Sequence, residues 1–154
     1  MANQPTTQEV KDYIVERAKA LGVDPQQALA LAQVESSYKT DAVSKTGAAG
    51  VYQLFPDASK DAGYDYNKVK SDWKTNVDAG ITYYGQKLKE AGGNVPVALG
   101  YYNQGRGGFN KQMQTGQLAP EVKKYITHPA FAPFVNDTLS QAGNPLKPLL
   151  AKQA

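Results

Sequence analysis

A single glutamate stands where a predicted helix of this chain meets a glycine-containing stretch. Glu35 follows Ala28, Leu31 and Ala32 at helical spacing, so its carboxyl is expected on the apolar face of that helix. Burial disfavours the ionised form of a carboxyl and raises its pKa. A carboxyl with a raised pKa can donate a proton near neutral pH, which general acid catalysis requires. Position alone also fits a partly solvated surface group near a helix end.

Two other titratable residues are weaker candidates. Asp41 is the nearest carboxylate in sequence that could serve as a second catalytic group, although bracing a loop is the simpler interpretation. His128 is the single histidine and precedes Pro129, which favours a loop position. Since the chain also has no cysteine, the sequence predicts no metal site and no cofactor.

Local signals around these residues predict a mainly α fold. Thr6 and Glu9 have capping-box spacing before a helix that ends at Gly22, and Asp24 with Pro25 opens the helix that carries Glu35. Residues 36–63 lose periodicity, apart from a short helix near 57–62. Further helices are expected at about 72–90, from 94 into a glycine breaker at 105–108, and then at 109–114 and 120–127. No strand pattern of useful length is present.

Length and charge limit the class of protein. The 154 residues suit one domain over 1–154, with a core at about 7–127 and a tail at 128–154 that either docks or is extended. The net charge of +3 comes from scattered basic residues, which does not favour nucleic-acid binding. No apolar run approaches the roughly 20 residues of a membrane span, and the start lacks the pattern of a signal peptide.

Four motifs, in order, give the sequence a family resemblance. They are ALALAQVESSY at 28–38, GAAGVYQ at 47–53, GYYNQG at 100–105 and PEVKKYI at 120–126. Together they resemble the family 1 lytic transglycosylases, the SLT domains with a goose-lysozyme-like fold. The resemblance implies a lysozyme-like domain with a substrate cleft. The chain departs from the family where Val51 and Tyr52 replace Leu-Met, and where Gly100 and Tyr101 replace Ala-Ala.

The resemblance also implies a reaction. Glu35 would protonate the glycosidic oxygen between N-acetylmuramic acid and N-acetylglucosamine, and would then take the proton of the C6 hydroxyl as a 1,6-anhydro ring closes. One carboxyl is enough in such a mechanism because the substrate supplies its own nucleophile, unlike the two-carboxylate arrangement of most glycosidases.

Six further residues are expected to bind substrate on the strength of the resemblance. Ser36 would bond near the reacting sugar or the acid, Tyr125 would help to hold the Glu35 carboxyl, and the others would contact the glycan: Tyr52, Gln53, Tyr102 and Asn103. Each also has a structural interpretation, as a helix-end or loop hydrogen-bonder or as a core aromatic.

Three alternatives stay open at this stage. A lysozyme-like hydrolase, a wall-binding module without turnover and, least favoured, a nucleic-acid binder would all be compatible with parts of the sequence. The expected substrate is peptidoglycan in the periplasmic cell wall. Because no export signal is predicted, we expect delivery by a phage particle or by secretion machinery, with a virion or secretion-apparatus protein as partner.

Overall fold

The computed structural model of the protein describes residues 4–152. Within that range, the β structure consists of two isolated bridges, which pair Val43 with Ala49 and Ala49 with Leu54. The prediction of a mainly α fold is confirmed. The α-helices are α1 Thr7–Leu21, α2 Pro25–Ser36, α3 Pro56–Asp61, α4 Tyr66–Ser71, α5 Trp73–Glu90, α6 Val95–Gln104, α7 Arg106–Thr115, α8 Pro120–Ile126, α9 Ala132–Ser140 and α10 Leu146–Ala151, with a 3-10 turn at Pro129–Phe131.

The chain divides into two compact units between Gly85 and Gln86, inside α5. In the N-terminal unit, α1 packs against α2 and begins with the predicted capping box of Thr6 and Glu9. Gly22 ends α1 in the left-handed conformation, with φ of 75°. Asp24 then accepts a hydrogen bond from the backbone N–H of Gln26, at 2.8 Å, and starts α2.

A charged cluster joins α1 to α5 in the same unit. Asp78 accepts hydrogen bonds from Arg17 Nε at 2.8 Å and from the Tyr13 hydroxyl at 3.0 Å. Partial burial, followed by the bond to Asp78, raises the pKa of Tyr13 to about 12. The cluster satisfies the Asp78 carboxylate and fixes the side of α1 that faces α5.

The C-terminal unit is built around α6, whose residues from Pro96 to Tyr101 are buried. α6 packs against α7, α8 and α9. A Cβ added to Gly100 would lie 2.4 Å from ring atoms of Phe109, so the glycine allows close packing of α6 and α7. Residues of the tail are buried in this unit: Phe131, Val135 and Leu146.

The helices differ from expectation in three places. The tail, expected either to dock or to be extended, forms α9 and α10, which were not predicted. The short helix α4 was not predicted, because its six residues contribute one buried apolar side chain, Val69, and therefore show no periodicity. The expected breaker at 105–108 was wrong for most of its length. Gly105 alone has a positive φ, of 78°, and α7 begins directly at Arg106 and includes Gly107 and Gly108.

Candidate active site

Glu35 lies in the last turn of α2, half-buried, and is followed by a sharply turned backbone. Among residues 4–152, three non-glycine residues have positive φ: Ser37 at 54°, Tyr38 at 66° and Gln53 at 48°. Such conformations cost about 1–3 kcal/mol each and are concentrated at functional sites. All three lie in the segment that follows Glu35.

The strained residue Tyr38 is held by its side chain. Its hydroxyl donates to the backbone carbonyl of Leu29 at 3.0 Å, and the Lys11 ammonium lies 5.0 Å from the ring centroid. Partial burial raises the pKa of the Tyr38 hydroxyl. The hydroxyl bond joins Tyr38 to α2 and the Lys11 contact joins it to α1, and both offset part of the cost of the left-handed turn.

The second motif forms a tight turn, residues 49–54, which we call the glycine turn. The backbones of Ala49 and Leu54 exchange two hydrogen bonds of 3.0 Å, and the Gly50 N–H donates to the carbonyl of Ala42 at 2.7 Å. Gly50 has φ of 76°, which a residue with a side chain adopts rarely. The turn is therefore closed by its own backbone and joined to the segment before it.

Ser36 joins the end of α2 to the glycine turn. Its hydroxyl lies 2.7 Å from the carbonyl oxygen of Val51 and 3.4 Å from that of Ala32. Val51 is fully buried, so the shorter bond satisfies a carbonyl that water cannot reach. The residue next to Glu35 is thus bonded directly to the second motif, and the first two motifs come together in the N-terminal unit.

Gln53 presents its side-chain amide in a fixed orientation. Nε2 donates to the carbonyls of Gly50, at 2.9 Å, and Ala42, at 3.0 Å. Because both partners are acceptors, the amide nitrogen must face them and Oε1 must face away. Gln53 therefore makes the loop hydrogen bonds that its structural interpretation expected. These bonds also determine the orientation of Oε1.

Tyr52 lies in the core of the N-terminal unit. Its side chain is 0% exposed, and its hydroxyl donates to the carbonyl of Ala28 at 2.8 Å. Burial raises the pKa of this hydroxyl well above its ordinary value. Direct contact of Tyr52 with a substrate, as the sequence suggested, would require the side chain to leave this position.

The remaining motif residues lie in the C-terminal unit. Tyr102 is half-buried on α6, and Tyr125 is half-buried on α8 with its ring centroid 5.4 Å from that of Phe131. Asn103 is exposed near the end of α6, where its Oδ1 accepts a hydrogen bond from Gln104 Nε2 at 2.6 Å. None of these three is a fully buried core residue.

Gln104 continues this contact into a chain of exposed or half-buried polar side chains. Its Nε2 also donates to Glu121 Oε1 at 3.1 Å, and its Oε1 accepts from Gln112 Nε2 at 2.9 Å. We call Asn103, Gln104, Gln112 and Glu121 the amide chain. It links α6, α7 and α8 around the third motif.

Comparison with known proteins decides the family. The family model described as the transglycosylase SLT domain matches residues 12–124. The chain belongs to the transglycosylase SLT domain family. The family resemblance and the lysozyme-like SLT fold expected from the motifs are thereby confirmed.

Two solved structures are similar to this SLT domain. An inactive Glu-to-Gln mutant of the lytic transglycosylase Slt from Pseudomonas aeruginosa is 26% identical, with a TM-score of 0.61 over 92% of this chain and 24% of that one. The 70 kDa soluble lytic transglycosylase from Escherichia coli is 19% identical, with a TM-score of 0.62 over 90% of this chain and 25% of that one. The SLT domain thus spans about a quarter of each.

The other candidates of the sequence have structural positions in this SLT domain. Asp41 is exposed and lines a cavity of about 420 Å³ with Asp72 and Trp73. His128 caps the 3-10 turn, since its Nδ1 accepts a hydrogen bond from the N–H of Ala130 at 3.0 Å. Within the described range, no three His, Asp or Glu side chains are grouped as metal ligands, and no helix has the length and hydropathy of a membrane span.

Sequence reasoning missed Asn76 of α5, which is 0% exposed and contacts the glycine turn. Its place in the apolar stripe of α5, directly before Val77, was the one available signal. A polar residue at a core position must find hydrogen-bond partners. Its partners Tyr52 and Ala49 are 24 and 27 residues away, and a third, Val69, is seven residues away; helical periodicity reveals none of them.

Proposed function

We propose that this SLT domain is a peptidoglycan lytic transglycosylase that cleaves the β-1,4 bond between N-acetylmuramic acid and N-acetylglucosamine. The observation that carries the proposal is the bond from Ser36 to Val51, which joins the Glu35 helix end to the glycine turn inside the family-matched region. The similar Slt protein from Pseudomonas aeruginosa is inactive as a Glu-to-Gln mutant, which supports an essential glutamate in this fold.

Glu35 acts in two steps of the proposed reaction. Its protonated carboxyl gives a proton to the glycosidic oxygen, and the bond from that oxygen to C1 of the muramoyl residue breaks. The N-acetyl group of the same sugar stabilises the positive charge at C1. The Glu35 carboxylate then removes the proton of the C6 hydroxyl, whose oxygen bonds to C1. The product has a 1,6-anhydro end, and no water is consumed.

The half-buried position of Glu35 suits an acid that must be protonated before the bond breaks. A raised pKa of this carboxyl is part of the proposal. We assign substrate contacts to the Oε1 atom of Gln53 and to the exposed Asn103, since amide groups match the N-acetyl and hydroxyl groups of the glycan. Tyr102 and Tyr125 are proposed as further substrate-binding residues.

The test is mass spectrometry of the fragments that the protein releases from purified peptidoglycan, before and after borohydride reduction. We expect ends that are one water lighter than reducing ends and resist reduction. Glu35→Gln should abolish release and keep the helical circular dichroism spectrum. Glu16→Gln is the matched control, because Glu16 is exposed on α1 and should keep full activity.

The other outcomes contradict the proposal in different ways. Reducible ends would show hydrolysis, so that the domain would be a lysozyme-like muramidase. Binding to the wall without release, in the wild-type protein, would indicate a non-catalytic module. Unchanged release by Glu35→Gln would remove Glu35 from the mechanism. Delivery by a phage particle or secretion machinery stays a prediction.

A further inference from the structure

One peptide group of the glycine turn is held on both of its sides. The carbonyl of Val51 and the N–H of Tyr52 belong to the same peptide bond, which is planar and stiff. The carbonyl accepts the hydroxyl of Ser36 at 2.7 Å, and the N–H donates to Oδ1 of Asn76 at 3.0 Å. A single rigid peptide group therefore separates Asn76 from Ser36, the residue that follows Glu35.

Asn76 has no freedom to turn away from this peptide. Its Nδ2 donates to the carbonyls of Ala49, at 2.8 Å, and Val69, at 3.2 Å, so that the orientation of the amide is determined. The residue is 0% exposed, and a buried amide without these partners would be strongly unfavourable. Its two ends thus hold both Ala49 and Tyr52 of the glycine turn.

The surrounding packing is shaped to this amide. A Cβ on Gly50 would lie 2.3 Å from Asn76 Nδ2, and a Cβ on Gly80 would lie 2.2 Å from Cγ of Tyr52. Gly50 therefore lets the amide rest on the backbone of the turn, and Gly80 lets Tyr52 enter the core beside α5. Both glycines serve the same contact between α5 and the glycine turn.

We infer that Asn76 is a positioning residue for the proposed reaction: through the peptide between Val51 and Tyr52, it fixes Ser36 at the end of α2 and the strained backbone of Gln53. The inference rests on the proposed function. Hydrogen bonds through a polarised peptide strengthen one another, so loss of the Asn76 bond also weakens the Ser36 bond. Asn76 touches neither the reacting bond nor the Glu35 proton.

The first test compares Asn76→Ala with Val77→Ala. Val77 is the next residue of α5 and is equally buried, so its truncation measures the effect of a cavity alone. On soluble glycan strands, we expect Asn76→Ala to lower kcat about 10- to 100-fold, as small misplacements of a catalytic group do, with little change in KM. The kcat of Val77→Ala should stay within about threefold of wild type. Both variants are measured under conditions in which they are folded.

A second test measures the coupling itself. Ser36→Ala and Asn76→Ala should be non-additive in kcat, because each loosens the same peptide. Amide hydrogen exchange should become faster at Tyr52 in Asn76→Ala and stay slow in Val77→Ala. If Asn76→Ala does not fold, Asn76→Ser is measured instead, since its hydroxyl is too short to reach both Ala49 and Tyr52.

The outcomes separate the two proposals. A wild-type protein that releases no fragments would contradict the proposed function. An active wild type whose Asn76→Ala variant matches Val77→Ala in kcat would contradict this inference alone. Additive losses in the double variant, or unchanged exchange at the Tyr52 amide, would also overturn it, because they would show that the peptide does not transmit the contact.

Discussion

The glycine turn and the amide chain both carry motif residues of the SLT family, but the first is largely buried and the second is exposed or half-buried. In the turn, Val51 and Tyr52 are fully buried and their shared peptide has a partner on each side. In the amide chain, Asn103 and Glu121 are exposed, and the contacts run between side chains.

This difference separates two ways of presenting polar groups. When one partner of a buried hydrogen bond is removed, the other partner stays buried without a hydrogen bond, which costs its full desolvation penalty. The turn is therefore held in one conformation. Exposed side chains can exchange their partners for water at little cost, so the amide chain can rearrange around a bound molecule. We therefore expect the glycine turn to keep one conformation and the amide chain to rearrange.

The largest effect is expected from Gly80→Ala. The added Cβ would lie 2.2 Å from Cγ of Tyr52, which is buried and cannot move freely. Overpacking of this kind lowers the free energy of unfolding by about 1–3 kcal/mol. Urea unfolding followed by circular dichroism measures the loss, and activity should fall with it because Tyr52 belongs to the glycine turn.

Two glycines provide the controls for this variant. Gly85→Ala is on the same helix, where the added Cβ meets Val23 at a milder 3.3 Å, and should unfold close to wild type. Gly100→Ala crowds Phe109 in the C-terminal unit and should lose stability as Gly80→Ala does. Equal stability of Gly80→Ala and Gly85→Ala would mean that Tyr52 is not confined.

Ser36→Ala tests the buried side of the comparison directly. The variant leaves the buried carbonyl of Val51 without its 2.7 Å donor, which should lower the free energy of unfolding by about 1–3 kcal/mol. Asn103→Ala is the exposed counterpart and should lose less than about 0.5 kcal/mol, since water replaces its contact with Gln104. Similar losses in the two variants would contradict the distinction between the turn and the amide chain.

The helices α1, α2 and α6 were predictable because their signals are local. Each cap bonds a backbone N–H only two or three residues further along the chain. This holds for the Thr6 capping box, for Asp24 before Pro25 and for Asn94. The placement of Tyr52 and Asn76 was not predictable. The bonds that join them to each other, to Ala28 and to Ala49 span 24 to 27 residues, so the sequence shows the residue types and not the partners.

Tyr13→Phe tests a half-buried contact, which is less buried than the bonds of the glycine turn. The pKa of Tyr13 is raised from 10.0 to about 12 in the folded protein, so the folded state keeps its proton longer than the unfolded state does. The contribution of Tyr13 is complete below pH 10 and is lost as the pH rises from about 10 to about 12. Urea unfolding across this range should show a shallower loss in Tyr13→Phe than in wild type.

The matched control is Tyr64→Phe, because the Tyr64 hydroxyl donates to no carboxylate within the described residues. Tyr13→Phe should lose less stability between pH 10 and about pH 12 than this variant does. A Tyr13→Phe variant with the full wild-type slope would show that the Asp78 cluster does not contribute to the pH dependence.

The smallest expected change is that of Gly108, inside α7, and it is opposite in sign to that of Gly105, which lies between α6 and α7. Gly108 is helical and a Cβ there would meet nothing within 4 Å, so Gly108→Ala should raise the free energy of unfolding by about 0.5 kcal/mol. Gly105 has φ of 78° and ψ of 149°, a conformation that essentially only glycine adopts, so Gly105→Ala should lower it by about 1–3 kcal/mol. Thermal unfolding of the two variants measures both signs. Destabilisation by both would indicate that the break between α6 and α7 extends into Gly108, because a helical glycine in open space has nothing to lose from a methyl group.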